Sequence, residues 1–89
     1  MKILIIEDEA PAAKRLALLV KEIDSQIEIL ATIDSIEYAI IWLQNNIHPE
    51  IILLDIELSD GKSFEIFKQI SVKSAIIFTT AYEIGRAHV

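Results

Sequence analysis

Cysteine is absent from this 89-residue chain, which removes disulfide staples, thiolate metal sites and thiol nucleophiles from consideration. Glycine and proline number only two each, too few for a collagen-like, linker-like or low-complexity chain. Basic residues are scarce as well: 8 Lys and Arg stand against 14 Asp and Glu, for a formal charge of −6. They are scattered and form no stripe that could follow a phosphate backbone, so this segment is not expected to bind DNA by itself. The opening Met-Lys-Ile-Leu-Ile-Ile begins like a signal peptide, but Glu7, Asp8 and Glu9 stop the apolar run far too early for a signal or a membrane span. A cytoplasmic protein without membrane contact is expected.

What is present is a chain 53% hydrophobic and 25% charged, the balance of one small globular α/β domain with a single core and marginal stability. Apolar runs alternate with helical patterns from the first residues. Ile3 to Ile6 is a continuous branched run, short enough for a strand buried on both faces. Pro11 suits the first turn of a helix, and Ala12, Leu16, Leu19, Val20 and Ile23 recur at helical spacing as its inner stripe. Ile27 to Ile33 is strand-like. Ser35 can cap a second helix with Ile36, Ala39, Ile40 and Leu43 facing inward, and Asn45-Asn46 followed by His48-Pro49 ends it. Tyr38 and Trp42 flank that stripe and are expected to be partly buried, with His48 a solvated loop residue. Ile51 to Leu54 forms a second fully apolar strand with Asp55 at its carboxyl end. Ser59-Asp60-Gly61 signals a turn within Glu57 to Lys62. Phe64, Phe67 and Ile70 mark a short third helix, and Ala75 to Phe78 a fourth strand running into Thr79-Thr80.

The order β-α-β-α-β-α-β implies right-handed crossovers and a parallel sheet covered on both faces. In such sheets ligands bind beyond the carboxyl ends of the strands, at the switch point of the strand order. Glu7-Asp8, Asp55 and Thr79-Thr80 all fall at those ends. An isolated strand-end Asp is usually a cap or turn residue, and an acidic pair after a strand commonly serves the dipole of the next helix. Three marked segments at the corresponding ends of three strands carry more weight than any one of them. If the first and third strands are neighbours, Glu7, Asp8 and Asp55 crowd together. Two bare carboxylates about 4 Å apart repel by about 4 kcal/mol at an effective dielectric near 20, so the cluster calls for a cation or for raised pKa values. Hard oxygen ligands favour Mg²⁺. Asp55 is then placed as a nucleophile for phosphoryl transfer, and Thr80 can donate a hydroxyl to a phosphate oxygen in the modified state.

Ile-Leu-Ile-Ile-Glu-Asp-Glu, Pro49-Glu-Ile-Ile-Leu-Leu-Asp-Ile, Asp60-Gly61 and Ile-Ile-Phe-Thr-Thr-Ala-Tyr together resemble the receiver domains of bacterial response regulators, over almost the whole chain up to Tyr82. The resemblance implies a flavodoxin-like (CheY-like) doubly wound parallel sheet. It implies Asp55 as phosphoacceptor, Mg²⁺ held by Glu7, Asp8, Asp55 and the backbone carbonyl of Glu57, and Thr80 rather than Thr79 as the switch hydroxyl. A histidine kinase would be the partner, and the module would not itself be an enzyme. The Leu58-Ser-Asp-Gly-Lys-Ser-Phe-Glu-Ile-Phe stretch is similar to regulators of the LytTR type, which implies a DNA-binding output domain beyond this chain, transcription regulation, and homodimer formation on phosphorylation of the full-length protein. Ser59 departs from the proline that many receivers carry there, and should loosen the loop slightly.

The family's last strand, with its lysine, and last two helices have no counterpart here, so the fold is expected to be incomplete: residues 1–82 a C-terminally truncated receiver, with the fourth strand at the sheet edge and the first helix partly uncovered. The final Glu-Ile-Gly-Arg-Ala-His-Val, residues 83–89, has no apolar period. It can be encoded by GAG ATC GGA AGA GCA CAC GTC, the sequence of a common sequencing adapter, and is expected to be a non-native tail. Three competing readings are weaker. A phosphatase of haloacid-dehalogenase type needs Asp-x-Asp after the first strand, where this chain has Asp8-Glu9-Ala10. A nucleotide-binding domain needs glycine in the first strand–helix turn. A receiver-like interaction module without phosphotransfer would not need Glu7, Asp8, Asp55 and Thr80 together.

Overall fold

A computed structural model describes residues 1–79; Thr80 and the stretch 83–89 lie outside them. The strands are β1 (Lys2–Ile6), β2 (Glu28–Ile33), β3 (Ile51–Leu54), the two-residue pair β4 (Glu57–Leu58) and β5 (Gly61–Lys62), and β6 (Ala75–Phe78). The helices are α1 (Ala10–Ile23), α2 (Ile36–Asn45) and α3 (Ile66–Gln69), the last entered through a 3₁₀ turn at Ser63–Glu65. Four strands form one parallel sheet in the order β2-β1-β3-β6. The chain steps outward from β1 to β2, then returns to the other side of β1 with β3. The switch point of the doubly wound order therefore lies between β1 and β3, and the expected neighbour relation of the first and third strands holds.

Alternation along the strands explains why continuous apolar runs are needed. Leu4, Ile6, Ile52 and Leu54 face one side and pack with Ile36, Ala39 and Leu43 of α2 and Ile66 of α3. Ile3, Ile5 and Leu53 face the other side and pack against Val20 of α1, with Leu16 and Ala17 at the margin. The α2 stripe is as expected from the spacing, and the Ser35 hydroxyl accepts from the Tyr38 N–H at 3.1 Å as the cap.

Four details differ from the sequence expectations. On α1 the buried face runs through Ala13 and Val20, whereas Leu19 and Ile23 are 47% and 81% exposed. Of that helix only Ala13 and Val20 are buried, with Leu16 and Ala17 packed at the margin of the core. On the third helix the buried anchor is Ile66, and Phe64 is exposed, because the 3₁₀ turn rotates the entry into α3. His48 is half-buried, with its Nε2 3.0 Å from the Leu43 carbonyl oxygen at the end of α2. Tyr38, expected to be partly buried, is 63% exposed, because it lies off the inward stripe of α2, whereas Trp42 is half-buried as expected. Among the described residues β6 is an outer strand, with Ile77 and Phe78 about half exposed.

Leu54 is fully buried one residue before the strand-end acid, so Leu54→Ala should lower unfolding free energy by about 3 kcal/mol in urea titrations. Leu18→Ala, at a position 61% exposed, should change it by less than about 0.5 kcal/mol.

Candidate functional site

The sheet ladder runs one residue past each central strand. The Glu7 N–H donates to the Ile33 carbonyl at 2.8 Å, the Asp55 N–H to the Ile6 carbonyl at 3.0 Å, and the Thr79 N–H to the Leu54 carbonyl at 2.8 Å. Because Ile6 pairs with Leu54 and Leu54 with Phe78, Glu7, Asp55 and Thr79 stand level in one row. Glu7 and Asp55 follow Ile6 and Leu54, which point towards α2 and α3, so by alternation the row projects to the α1 face of the rim. Asp8 is the first residue of the turn into α1. Its neighbour Glu9 donates its N–H to a Glu7 carboxylate oxygen at 3.1 Å, which fixes the Glu7 side chain in place.

Carboxylate oxygens of Glu7, Asp8 and Asp55 all lie within 4.8 Å of one another. Glu7 and Asp55 are each only 7% exposed, and Asp8 is intermediate. Among the described residues no Lys or Arg forms an ion pair with any of the three. The electrostatic consequence is a displaced titration. Burial pushes the Glu7 carboxyl from 4.5 up to about 7; the neighbouring Asp55 and Asp8 charges add to this, and the Glu9 N–H opposes it. Burial also raises Asp55, against the backbone N–H of Glu57, a hydrogen bond from Glu7 and the N–H of Ile56, which all favour its ionised form. Oxygens only, close together and costly to ionise, are a donor set that fits a hard divalent cation.

The trio opens into a cleft of about 460 Å³ whose far wall is α1, through Pro11, Ala12 and Arg15, and whose near wall is Glu57 and Thr79. Glu57 is exposed, and its backbone lies against the Asp55 carboxyl. Thr79 is a residue that sequence reasoning set aside. Its hydroxyl is buried and without a hydrogen-bond partner among the described residues. The signal available was parity: Thr79 shares the ladder row of Asp55. Thr80 lies outside the described residues.

The raised carboxyls fix a sign. Between pH 4.5 and about 7 the folded chain holds a proton on Glu7 that the unfolded chain has released. That contribution to stability is therefore complete below the unfolded value and is lost as pH rises through the folded one. In chelator, the melting temperature should fall on going from about pH 5 to about pH 8, and Glu7→Gln should remove most of the slope. A melting temperature rising over that range would contradict the placement of Glu7.

No family model matches the chain. In sequence it is 38% identical over 86 residues to the sensory transduction protein LytT of Bacillus anthracis, an alignment covering 93% of this chain and 34% of the relative. The chain thus spans about a third of the length of that relative. Among solved structures it resembles the signal receiver domain of a modulated diguanylate cyclase from Desulfovibrio desulfuricans G20, with a TM-score of 0.72 at 24% identity over 98% of this chain and 72% of that one. It also resembles the receiver domain of the Erythrobacter litoralis response regulator PhyR, with a TM-score of 0.60 at 31% identity over 91% of this chain and 63% of that one. A sheet wound in this order, joined to sequence similarity of this extent, places the chain in the receiver-domain family of response regulators, on its LytT-like side.

Proposed function

We propose that residues 1–82 act as the phosphoacceptor module of a two-component regulator, with Asp55 taking a phosphoryl group from a histidine kinase. The observation that carries this reading is the pairing of β1 with β3 up to Ile6 and Leu54, which brings carboxylate oxygens of Glu7, Asp8 and Asp55 within 4.8 Å of one another at the switch point. Glu7, Asp8, Asp55 and the Glu57 backbone carbonyl would hold Mg²⁺. When bound, Mg²⁺ lets the carboxylates ionise together and screens the phosphoryl oxygens.

The chain's own residues do the rest. An ionised Asp55 oxygen attacks the phosphorus of a phosphohistidine. The P–N bond breaks, its electron pair stays on the imidazole nitrogen, which takes up a proton, and Asp55 becomes a mixed acyl phosphate. The Glu57 and Ile56 N–H groups orient the attacking carboxylate. The cleft admits the donor from the α1 side. Thr80 supplies the hydroxyl that bonds the new phosphoryl oxygen, a bond made only in the modified state. The likeness to LytT supports a regulator working in the cytoplasm, whose DNA-binding output and phosphorylation-dependent homodimer contacts lie in other parts of the protein. Residues 83–89 take no part, as a non-native tail.

Incubated with Mg²⁺ and a small acyl phosphate, the protein should gain one phosphoryl adduct by intact-mass analysis, and Asp55→Asn should gain none. An adduct that survives Asp55→Asn overturns the assignment, as does a parent chain that never forms one.

A further inference from the structure

The loop that follows Asp55 is fastened at both ends. At its base the Ser63 N–H donates to the Ile56 carbonyl at 2.8 Å. Between base and tip, Glu57 pairs with Lys62 and Leu58 with Gly61 in an antiparallel hairpin, and Lys62 forms an ion pair with Glu57. Leu58 is 7% exposed and sits in the core beside Ile36. At the tip, the two carboxylate oxygens of Asp60 accept from the first two N–H groups of α2, Ile36 at 3.0 Å and Glu37 at 3.2 Å. These groups have no partner within a helix, so the contact satisfies α2 and anchors the hairpin in a single arrangement. Gly61 makes the close fit possible. Its φ of +139° is open to glycine, and a Cβ there would stand 3.3 Å from the Ile36 Cδ1.

The hairpin begins with Glu57, two residues after Asp55 and lining the same cleft as the acid trio. We infer that Asp60 is a positioning residue: by clamping the hairpin tip to the N-terminus of α2, it holds the Glu57 peptide against Asp55 in the geometry that Mg²⁺ binding uses. This deepens the phosphoacceptor reading and rests on it. The clamp spans 24 residues of sequence for Ile36 and 23 for Glu37, so it joins the acid-bearing rim to a helix on the opposite face of the sheet. Ser35 supplies an internal comparison. It caps the same helix end through the Tyr38 N–H but has no bond to the hairpin.

The test is a Mg²⁺ titration by calorimetry on the whole chain, with melting temperatures recorded in chelator. Asp60→Ala should weaken Mg²⁺ binding about tenfold, in the range usual for groups that orient a metal's ligands. Asp60→Asn, which keeps a side-chain oxygen for one of the two N–H groups, should restore affinity to within about threefold of the parent. Ser35→Ala should lower the melting temperature as Asp60→Ala does, yet leave Mg²⁺ affinity unchanged. Equal Mg²⁺ affinity in Asp60→Ala and parent overturns the inference while leaving the phosphoacceptor reading intact. So does an equal loss in Ser35→Ala, which would make the effect one of helix stability alone. A parent chain that binds no Mg²⁺ overturns both.

Discussion

Carboxylates that are costly to ionise together are the constraint around which this domain is arranged. Glu7 and Asp55 are nine-tenths buried and level with each other at the sheet rim, with Asp8 beside them and no ion-paired cation among the described residues. Burial of a charge is tolerated only when something compensates it. Here part of the compensation is internal: the Glu9, Ile56 and Glu57 N–H groups stabilise the ionised forms, and a proton on Glu7 near neutral pH relieves the remainder. The site is thus held in tension by the fold, and a divalent cation is a partner whose charge would resolve it.

That tension is sustainable because everything beneath it is rigid and apolar. Each central strand is sandwiched, Ile3, Ile5 and Leu53 on the α1 side and Leu4, Ile6, Ile52 and Leu54 on the α2–α3 side. The acids begin where the sandwich stops. The loop after Asp55 is treated in the same way: Leu58 is sunk in the core and Asp60 is bonded to α2, so the peptide next to the acid is backed by the α2–α3 layer.

Much of this was legible in the residues, for identifiable reasons. The runs Ile51–Leu54 and Ala75–Phe78 became strands over those spans, because short branched runs closed by polar residues have few other uses in a parallel sheet. The Ser35 cap and the inward set of α2 were equally readable. The site's acids were found because strand ends converge at a switch point. What escaped detection depends on side-chain direction or on partners distant in sequence. The buried face of α1 runs through Ala13 and Val20 while the more hydrophobic Leu19 and Ile23 stay exposed, because the helix's orientation on the sheet and not side-chain hydrophobicity alone selects it. Phe64 is exposed where Ile66 is buried, because a 3₁₀ turn has a different period from an α-helix. The Ser59 turn, expected to be loose, is a closed hairpin because Asp60 finds its bond 24 residues away. The roles assigned to Thr80 and to residues 83–89 fall outside the described residues.

The pairing of β1 with β3 has one further consequence. Strand side chains alternate, so a slip of one residue between these strands would exchange their two faces. Glu7 would then take the place of Ile6 in the apolar layer beneath α2, where an unpaired carboxylate is most costly. The same acids that would hold the cation therefore also count against the wrong alignment of the sheet. A chain that folds with β1 out of step would lose its apolar core and its cluster of carboxylates in one event.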